Sequence, residues 1–427
     1  MTEFKTGKEA EAWITGQRWK GEKHGLENTL ALLNALGNPE KRIGKIVHVA
    51  GTNGKGSTCA FIERGLRECG YNTGLFTSPY LCSFNERIMF NGIPIPDAEL
   101  ASAASIVREK AEALANQGIR ATTFELLTAV GCVYFAKRQT DYAVIEVGLG
   151  GRLDSTNVLM PAVSVIAAIG MDHMQILGNT IEEIAQEKAG IIKPGIPAVV
   201  LNQQESVMEV FRRAARQASA PLFEVSPIQT IGVSPSGGEF AIALPAYGLI
   251  KQRISISGRH QLLNAALALT ALDRLEIDLA AASAGLSKAR WPGRLELIGN
   301  VLIDCSHNPQ GAETLRRFVD EFYGSKNKVL LTGMMQDKQL EACSDIFASF
   351  ADSVVTTKVD WPRAAEPEAL KAYYDGRIDN VVACANVNEA LKKARELAGS
   401  DGLIVAAGSV YIAGAVRNLL TESSGVV

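Results

Sequence analysis

Aromatic side chains make up only 6% of the 427 residues, and the chain holds just seven cysteines and five histidines. Seven is an odd number, and the cysteines lack the paired spacing of a zinc site, which argues against a disulfide framework and for reduced thiols acting as small buried apolar residues. No segment approaches the roughly 18 uninterrupted apolar residues that a membrane-crossing helix needs, so no membrane partner is expected. Lysine and arginine never gather into a run, and 43 basic against 46 acidic residues leave a formal net charge of −3. That balance argues against a protein that grips nucleic-acid phosphates regardless of sequence. The opening MTEFKTGKEAEAW lacks the apolar stretch of a secretory signal, which points to the cytoplasm. Coiled-coil heptads are missing too, and a monomer is expected. What is present is the composition of an ordinary globular enzyme, 47% hydrophobic and 21% charged, in a chain longer than one core usually organises; two domains are expected.

The apolar run Lys45–Ala50, the loop Gly51–Ser57 and an amphipathic stretch from Thr58 to Glu68 spell strand, glycine loop, helix. Short continuous apolar runs at Tyr142–Val147, Val163–Ala168 and Ala198–Leu201 read as central strands of a parallel sheet covered on both faces. Helical patterns lie at Ala98–Ala115, Phe124–Lys137 and Ile181–Ile192, the last stopped by Lys193-Pro194-Gly195. From Gln229 to Ile256, alternation around the turn Pro235-Ser236-Gly237-Gly238 predicts an antiparallel hairpin layer at the sheet edge. Helices over His260–Leu275 and Ala280–Ala289 lead to Trp291-Pro292-Gly293, a breaker cluster taken as the domain boundary. Beyond it VLIDC, KVLLTG, SVVTTK, NVVACA and LIVAAG alternate with helical segments. The fold class is therefore α/β: an N-terminal P-loop ATPase-like doubly wound parallel sheet domain over residues 1–292 and a smaller Rossmann-like domain over 293–427. Only the closing Ser-Ser-Gly-Val-Val looks disordered.

Gly51-Thr52-Asn53-Gly54-Lys55-Gly56-Ser57, between a strand and a helix, is built for phosphate. Glycines let backbone N–H groups close on phosphate oxygens, the helix N-terminus adds partial positive charge, and Lys55 supplies a point charge. Gly56 holds the place where the usual Walker pattern has its hydroxyl, and Ser57 and Thr58 follow. A phosphate site needs a cation, Mg²⁺ above all. Glu146, at the end of one strand run and directly before Gly148-Leu149-Gly150-Gly151, and His173, after another, converge where the carboxyl ends of parallel strands meet. The plainer reading of His173 is a packed histidine. That of Lys188 is an ion-paired helix lysine beside Glu182, Glu183 and Glu187.

The ordered series HVAGTNGKGS, FTSPYL with NERI, EVGLGGRLDSTN, MDH, EKAGIIKPG, GRHQLLNAALAL, WPGRLE and DCSHNPQGAE resembles the Mur ligase superfamily, and within it the folylpolyglutamate synthase and dihydrofolate synthase family, over nearly the whole chain. The resemblance implies ATP as co-substrate and two Mg²⁺ ions held by Ser57, Ser78, Glu146 and His173, and it leaves open a monovalent cation. It implies a Lys188 carbamylated on its side-chain nitrogen, and a nucleotide site of Gly51 to Thr58 with Asn264 at adenine, Arg294 at the phosphates, Asp304 at the ribose and His307 beside them, completed when both domains close. The pterin end of the substrate is expected near Gly25, Leu26 and Glu27, near Thr122, Thr123, Phe124 and Glu125, and near Leu153, Asp154 and Ser155. Phe124 has two readings, a ring stacked on the pterin or core packing. Tyr80 departs from the histidine that many bifunctional relatives carry in the TSP loop. The implied reaction activates a carboxylate as an acyl phosphate and captures it with glutamate, using Lys55, Lys188 and His173; small molecules are the expected partners. Two alternatives stay open at this point: another ligase of the superfamily, and a nucleotide-gated binding protein without ligation.

Overall fold

The computed structural model describes residues 3–17, 25–336 and 338–424; His24 and the closing Gly-Val-Val lie outside them. Ser423 and Ser424, expected to be disordered, close the helix Val410–Ser424. By contacts the chain divides into two units. The first is Met1–Ile231, Glu239–Ile254 and Gln261–Ala289, and the second is Gly232–Gly238, Ser255–His260 and Arg290–Val427.

The first unit is built on β1 (Lys45–Ala50), β2 (Thr73–Phe76), β3 (Ile88–Phe90), β4 (Ile93–Pro94), β5 (Tyr142–Glu146), β6 (Val163–Ile166), β7 (Ala198–Val200) and β8 (Leu222–Glu224). They form an eight-stranded sheet in the order β4-β3-β2-β5-β1-β6-β7-β8. Every pair from β2 to β8 is parallel, while β3 and β4 add an antiparallel edge. β5, β6 and β7 are buried at every position, as continuous apolar runs predict for strands covered on both faces. The chain leaves β1 on one side toward β2 and crosses to β6 on the other, so the carbonyl ends of β1 and its neighbours form a switch-point crevice.

The hairpin layer expected at the sheet edge is instead a separate three-stranded sheet of β9 (Ile228–Ser234), β10 (Gly237–Leu244) and β11 (Gly248–Ile254), ordered β11-β10-β9. The large sheet ends at β8, which pairs with β7.

In the second unit β12 (Glu296–Ile298), β13 (Val301–Ile303), β14 (Lys328–Thr332), β15 (Ser353–Thr356), β16 (Asn380–Ala383) and β17 (Leu403–Ala407) form a six-stranded sheet, β12-β13-β17-β14-β15-β16. Only β12 runs antiparallel. Leu302, Leu330, Val354 and Val405 anchor its core with Phe347 and Tyr374.

Candidate active site

Strand β1 hands the chain to Gly51–Ser57 where the helix Lys55–Glu68 begins. The N–H groups of Thr52 and Asn53 donate to the Ala168 carbonyl at 2.7 and 3.2 Å, and Thr52 Oγ1 donates to the Gly170 carbonyl at 3.1 Å. These bonds hold the loop against the segment following β6. Gly54 caps the helix at φ +86°, and a Cβ there would lie 2.4 Å from Asn264 Oδ1; only glycine meets both conditions. Asn264, 3% exposed, is oriented by a bond from its Nδ2 to Gln261 Oε1 at 3.0 Å. With no acidic residue in its first turn, the helix offers N–H groups and partial positive charge to an anion.

Lys55 Nζ donates to the Thr52 carbonyl at 3.3 Å and stands 3.9 Å from Glu146 Oε1. Glu146 closes β5 and is buried, and its Oε2 accepts the Ser78 N–H at 3.0 Å. The cation and the amide offset the cost of burying this carboxylate. Ser57 is buried in the first turn of the helix. His173 adopts left-handed backbone, φ 52° and ψ 37°, an uncommon state for a residue with a side chain. Its N–H donates to Asp172 Oδ1 at 2.9 Å, and its half-exposed ring holds Nε2 3.9 Å from Asp172 Oδ2. Among the described residues no three His, Cys, Asp or Glu side chains are arranged to hold a metal by themselves. The expected donors are one carboxylate, two hydroxyls and one imidazole. That mostly hard-oxygen set suits Mg²⁺, which binds one or two carboxylates together with substrate phosphates and water.

Lys188 lies near the end of the helix Ile181–Ala189, which Thr180 and Glu183 close with a capping box. It is 4% exposed. Burial pushes its amine down to about 7, the Lys55 cation pushes the same way, and the carboxylates of Asp172, Asp154 and Glu187 pull back only in part. Near neutral pH much of this amine is uncharged and nucleophilic.

The residues expected at the pterin end come together in the same unit. Thr122 and Glu125 form a capping box, with the Thr122 N–H on Glu125 Oε2 at 2.7 Å, and Thr29 Oγ1 donates to Glu125 Oε1 at 3.0 Å. Glu125 thus joins the helix Glu27–Ala35 to the helix Thr123–Arg138. Gly25 has φ +69°, and the Glu27 carboxylate folds over it. Leu26 precedes the helix as its N-cap, and Thr123 Oγ1 donates to the Gln17 carbonyl at 3.4 Å. Phe124 is partly exposed; its ring stands edge-on to Phe76 at 5.9 Å and lies so close to Gly148 that a Cβ there would be 2.5 Å away. One ring edge packs in the core and part of the ring is uncovered. Ser155 Oγ bonds Thr128 Oγ1 at 2.8 Å, Leu153 is partly exposed, and Asp154 is buried with both oxygens engaged. Tyr80 packs on Phe84, with the Arg87 guanidinium over its ring at 5.1 Å.

In the second unit Asp304 follows β13, its oxygens accepting the N–H groups of Leu295 at 3.0 Å and Ser306 at 2.9 Å. His307 Nδ1 contacts the Cys305 carbonyl at 2.9 Å, and Arg294 is partly exposed. Burial lowers His260 to about 4, with Asp304 opposing and Arg294 reinforcing the shift. Thr29, Gln261 and Asp172 join these networks without having been singled out from the sequence. For Gln261 a signal existed, since it stands one helical turn before Asn264.

The Mur ligase middle domain profile matches residues 49–272, and the profile of the Mur ligase glutamate ligase domain matches 293–410. The dihydrofolate synthase/folylpolyglutamate synthase of Bacillus subtilis is 38% identical over 98% of this chain and 100% of its own. The Mycobacterium tuberculosis folylpolyglutamate synthase complexed with ADP superposes with a TM-score of 0.88 at 32% identity, covering 97% of this chain and 98% of that one. Escherichia coli FolC in complex with DHPP and ADP gives a TM-score of 0.87 at 28% identity, covering 98% of each chain. No helix among the described residues is long and apolar enough to cross a membrane.

Proposed function

As the chain belongs to the Mur ligase family, in its dihydrofolate synthase and folylpolyglutamate synthase branch, we infer that it is an ATP-dependent ligase of folate metabolism. It joins L-glutamate to dihydropteroate, to the γ-carboxylate of folates, or to both, through an acyl phosphate and with release of ADP. The observation that carries this reading is the gathering of a glycine loop, the Lys55–Glu146 pair and a buried, partly neutral Lys188 in one unit of the chain.

A carboxylate is a poor electrophile because its leaving group would be oxide; phosphorylation supplies a better one. The loop amides and Lys55 stabilise charge spreading over the transferred phosphoryl group. Ser57, Ser78, Glu146 and His173 would hold magnesium, two ions in this reading, which would neutralise phosphate charge. An uncharged Lys188 amine can add carbon dioxide, and the resulting carbamate replaces a cation with a carboxylate-like group able to orient a metal or its water. Asn264 would contact adenine, with Arg294, Asp304 and His307 supplied by a glutamate-ligase domain of residues 293–427. The pterin would lie along Gly25 to Glu27, Thr122 to Glu125 and Leu153 to Ser155. In this reading the enzyme is a cytoplasmic monomer.

The test supplies dihydropteroate, a reduced folate and a UDP-sugar peptide separately, each with ATP, magnesium and labelled glutamate, and sizes the products by mass. ADP release coupled to a pterin–glutamate amide is the expected result. ATP hydrolysis indifferent to glutamate, with no amide formed, overturns the proposal.

A further inference from the structure

His48 interrupts the apolar strand β1, is fully buried, and lies between Ile145 of β5 and Ser164 of β6. A polar ring at such a place is costly unless paired. Its Nε2 lies 2.8 Å from Thr156 Oγ1, which is itself fully buried and bonds Asp154 Oδ1 at 2.5 Å. The direction of each bond follows from counting protons. A hydroxyl has one, and an ionised carboxylate only accepts. The Thr156 proton is therefore committed to Asp154, and His48 must donate from Nε2–H. That leaves His48 Nδ1 bare, and it has no partner among the described residues.

Asp154 Oδ1 also accepts the Thr156 N–H at 3.0 Å, and its Oδ2 accepts the Leu149 N–H at 2.9 Å. All donors in this chain of bonds point toward one carboxylate. It starts on the strand that delivers the nucleotide loop and ends in the glycine segment that follows Glu146. The far side of the same loop rests on the helix bearing Lys188. Arg152 N–H donates to the Glu187 carbonyl at 2.7 Å, Asn157 Nδ2 donates to the Gly190 carbonyl at 3.1 Å, and a Cβ on Gly151 would lie 3.0 Å from the Lys188 Cα. Lys193 closes the arrangement with a bond to the Asn157 carbonyl at 2.7 Å.

We propose that His48 and Thr156 are positioning residues for ligation: their relay to Asp154 fixes the loop of residues 148–157, and through it the backbone carrying Lys188, in register with the nucleotide loop. The inference rests on the ligase reading, so wild-type turnover is measured first; a wild type without amide synthesis would refute that reading rather than this one. Thr156→Ser keeps the hydroxyl and Thr156→Ala removes it, while His48→Gln keeps an N–H donor and His48→Leu does not. Because positioning errors of about 1 Å cost up to about a hundredfold, Thr156→Ala and His48→Leu are expected to lower kcat for amide formation by about tenfold or more. KM for ATP should stay within about threefold, since the loop amides and Lys55 are untouched, and Thr156→Ser and His48→Gln should recover most of kcat. A purely structural role predicts lower unfolding temperatures with unchanged kcat in the folded protein. That result, or equal kcat for the Ser and Ala variants, overturns the proposal. Should His48→Leu fail to fold, the Ser and Ala pair still decides.

Discussion

The Glu146 carboxylate holds two partners at once, Lys55 Nζ at 3.9 Å and the Ser78 N–H at 3.0 Å, and so ties the nucleotide loop to the TSP loop. Glu146→Gln keeps an oxygen for the Ser78 amide but removes the charge that faces Lys55 and that, in the proposed reading, would face magnesium. The expected outcome is a fall in kcat on the order of a hundredfold, comparable with losing one preorganised electrostatic partner. A higher magnesium requirement should accompany it. Both are read from ADP release over a magnesium titration, and an unchanged magnesium dependence would remove Glu146 from the metal site.

Lys188 gives a dependence on dissolved carbon dioxide. Burial has moved its amine from 10.5 to about 7, so the neutral form is abundant above pH 7 and falls about tenfold per unit below it. In buffer stripped of carbon dioxide, activity should drop and return on adding bicarbonate, with the recovery weakening as pH falls through 7. Labelled bicarbonate should give a carbamate carbon signal that Lys188→Ala lacks. Folding of Lys188→Ala is expected to persist; turnover near that of wild type would refute the assignment.

Gly54 is held by two independent constraints, φ +86° and the Asn264 side chain. Alanine costs about 1–2 kcal/mol from left-handed backbone alone, and its Cβ would displace Asn264, the expected adenine contact. Gly54→Ala should therefore raise the KM for ATP by about tenfold or more while leaving the affinity for a pterin acid unchanged. Isothermal titration with each ligand separates the two. Equal weakening of both would show a folding defect instead.

Central strands and glycine-loop chemistry were legible because they are local. β1 is found at Lys45–Ala50 as its apolar run predicts, and the helix after the loop begins at Lys55 rather than Thr58 because its first turn is glycine and serine with no apolar periodicity. Short edge elements were not legible: β3 and β4 have three and two residues, one of them proline, too few to show alternation. The same limit governs the site. Thr122 and Glu125 reveal themselves by capping-box spacing, whereas His48 meets Thr156 across 108 residues. No spacing rule reports a partner so distant, and His48 reads from sequence only as a break in an apolar run.

Two buried histidines contribute to the response of stability to acid. His48 is lowered from 6.5 to about 3 by burial and the nearby Lys193 cation, and His260 from 6.5 to about 4, chiefly by burial. Above pH 6.5 both rings are neutral whether the chain is folded or not, and they contribute no slope. Below it the unfolded chain takes up protons that the folded chain refuses, so stability falls with pH until the folded values are reached. Each refused proton steepens the loss by about 1.4 kcal/mol per pH unit. His48→Gln keeps an N–H for Thr156 but cannot titrate. Compared with wild type by urea unfolding at pH 7, 6, 5 and 4, the variant should lose stability less steeply by about one proton's worth, on the order of a few kcal/mol across the range. Carboxylates titrate alike in both proteins and cancel in the comparison. Parallel curves would mean that His48 is protonated as readily in the fold as outside it, and that its burial does not hold the ring neutral.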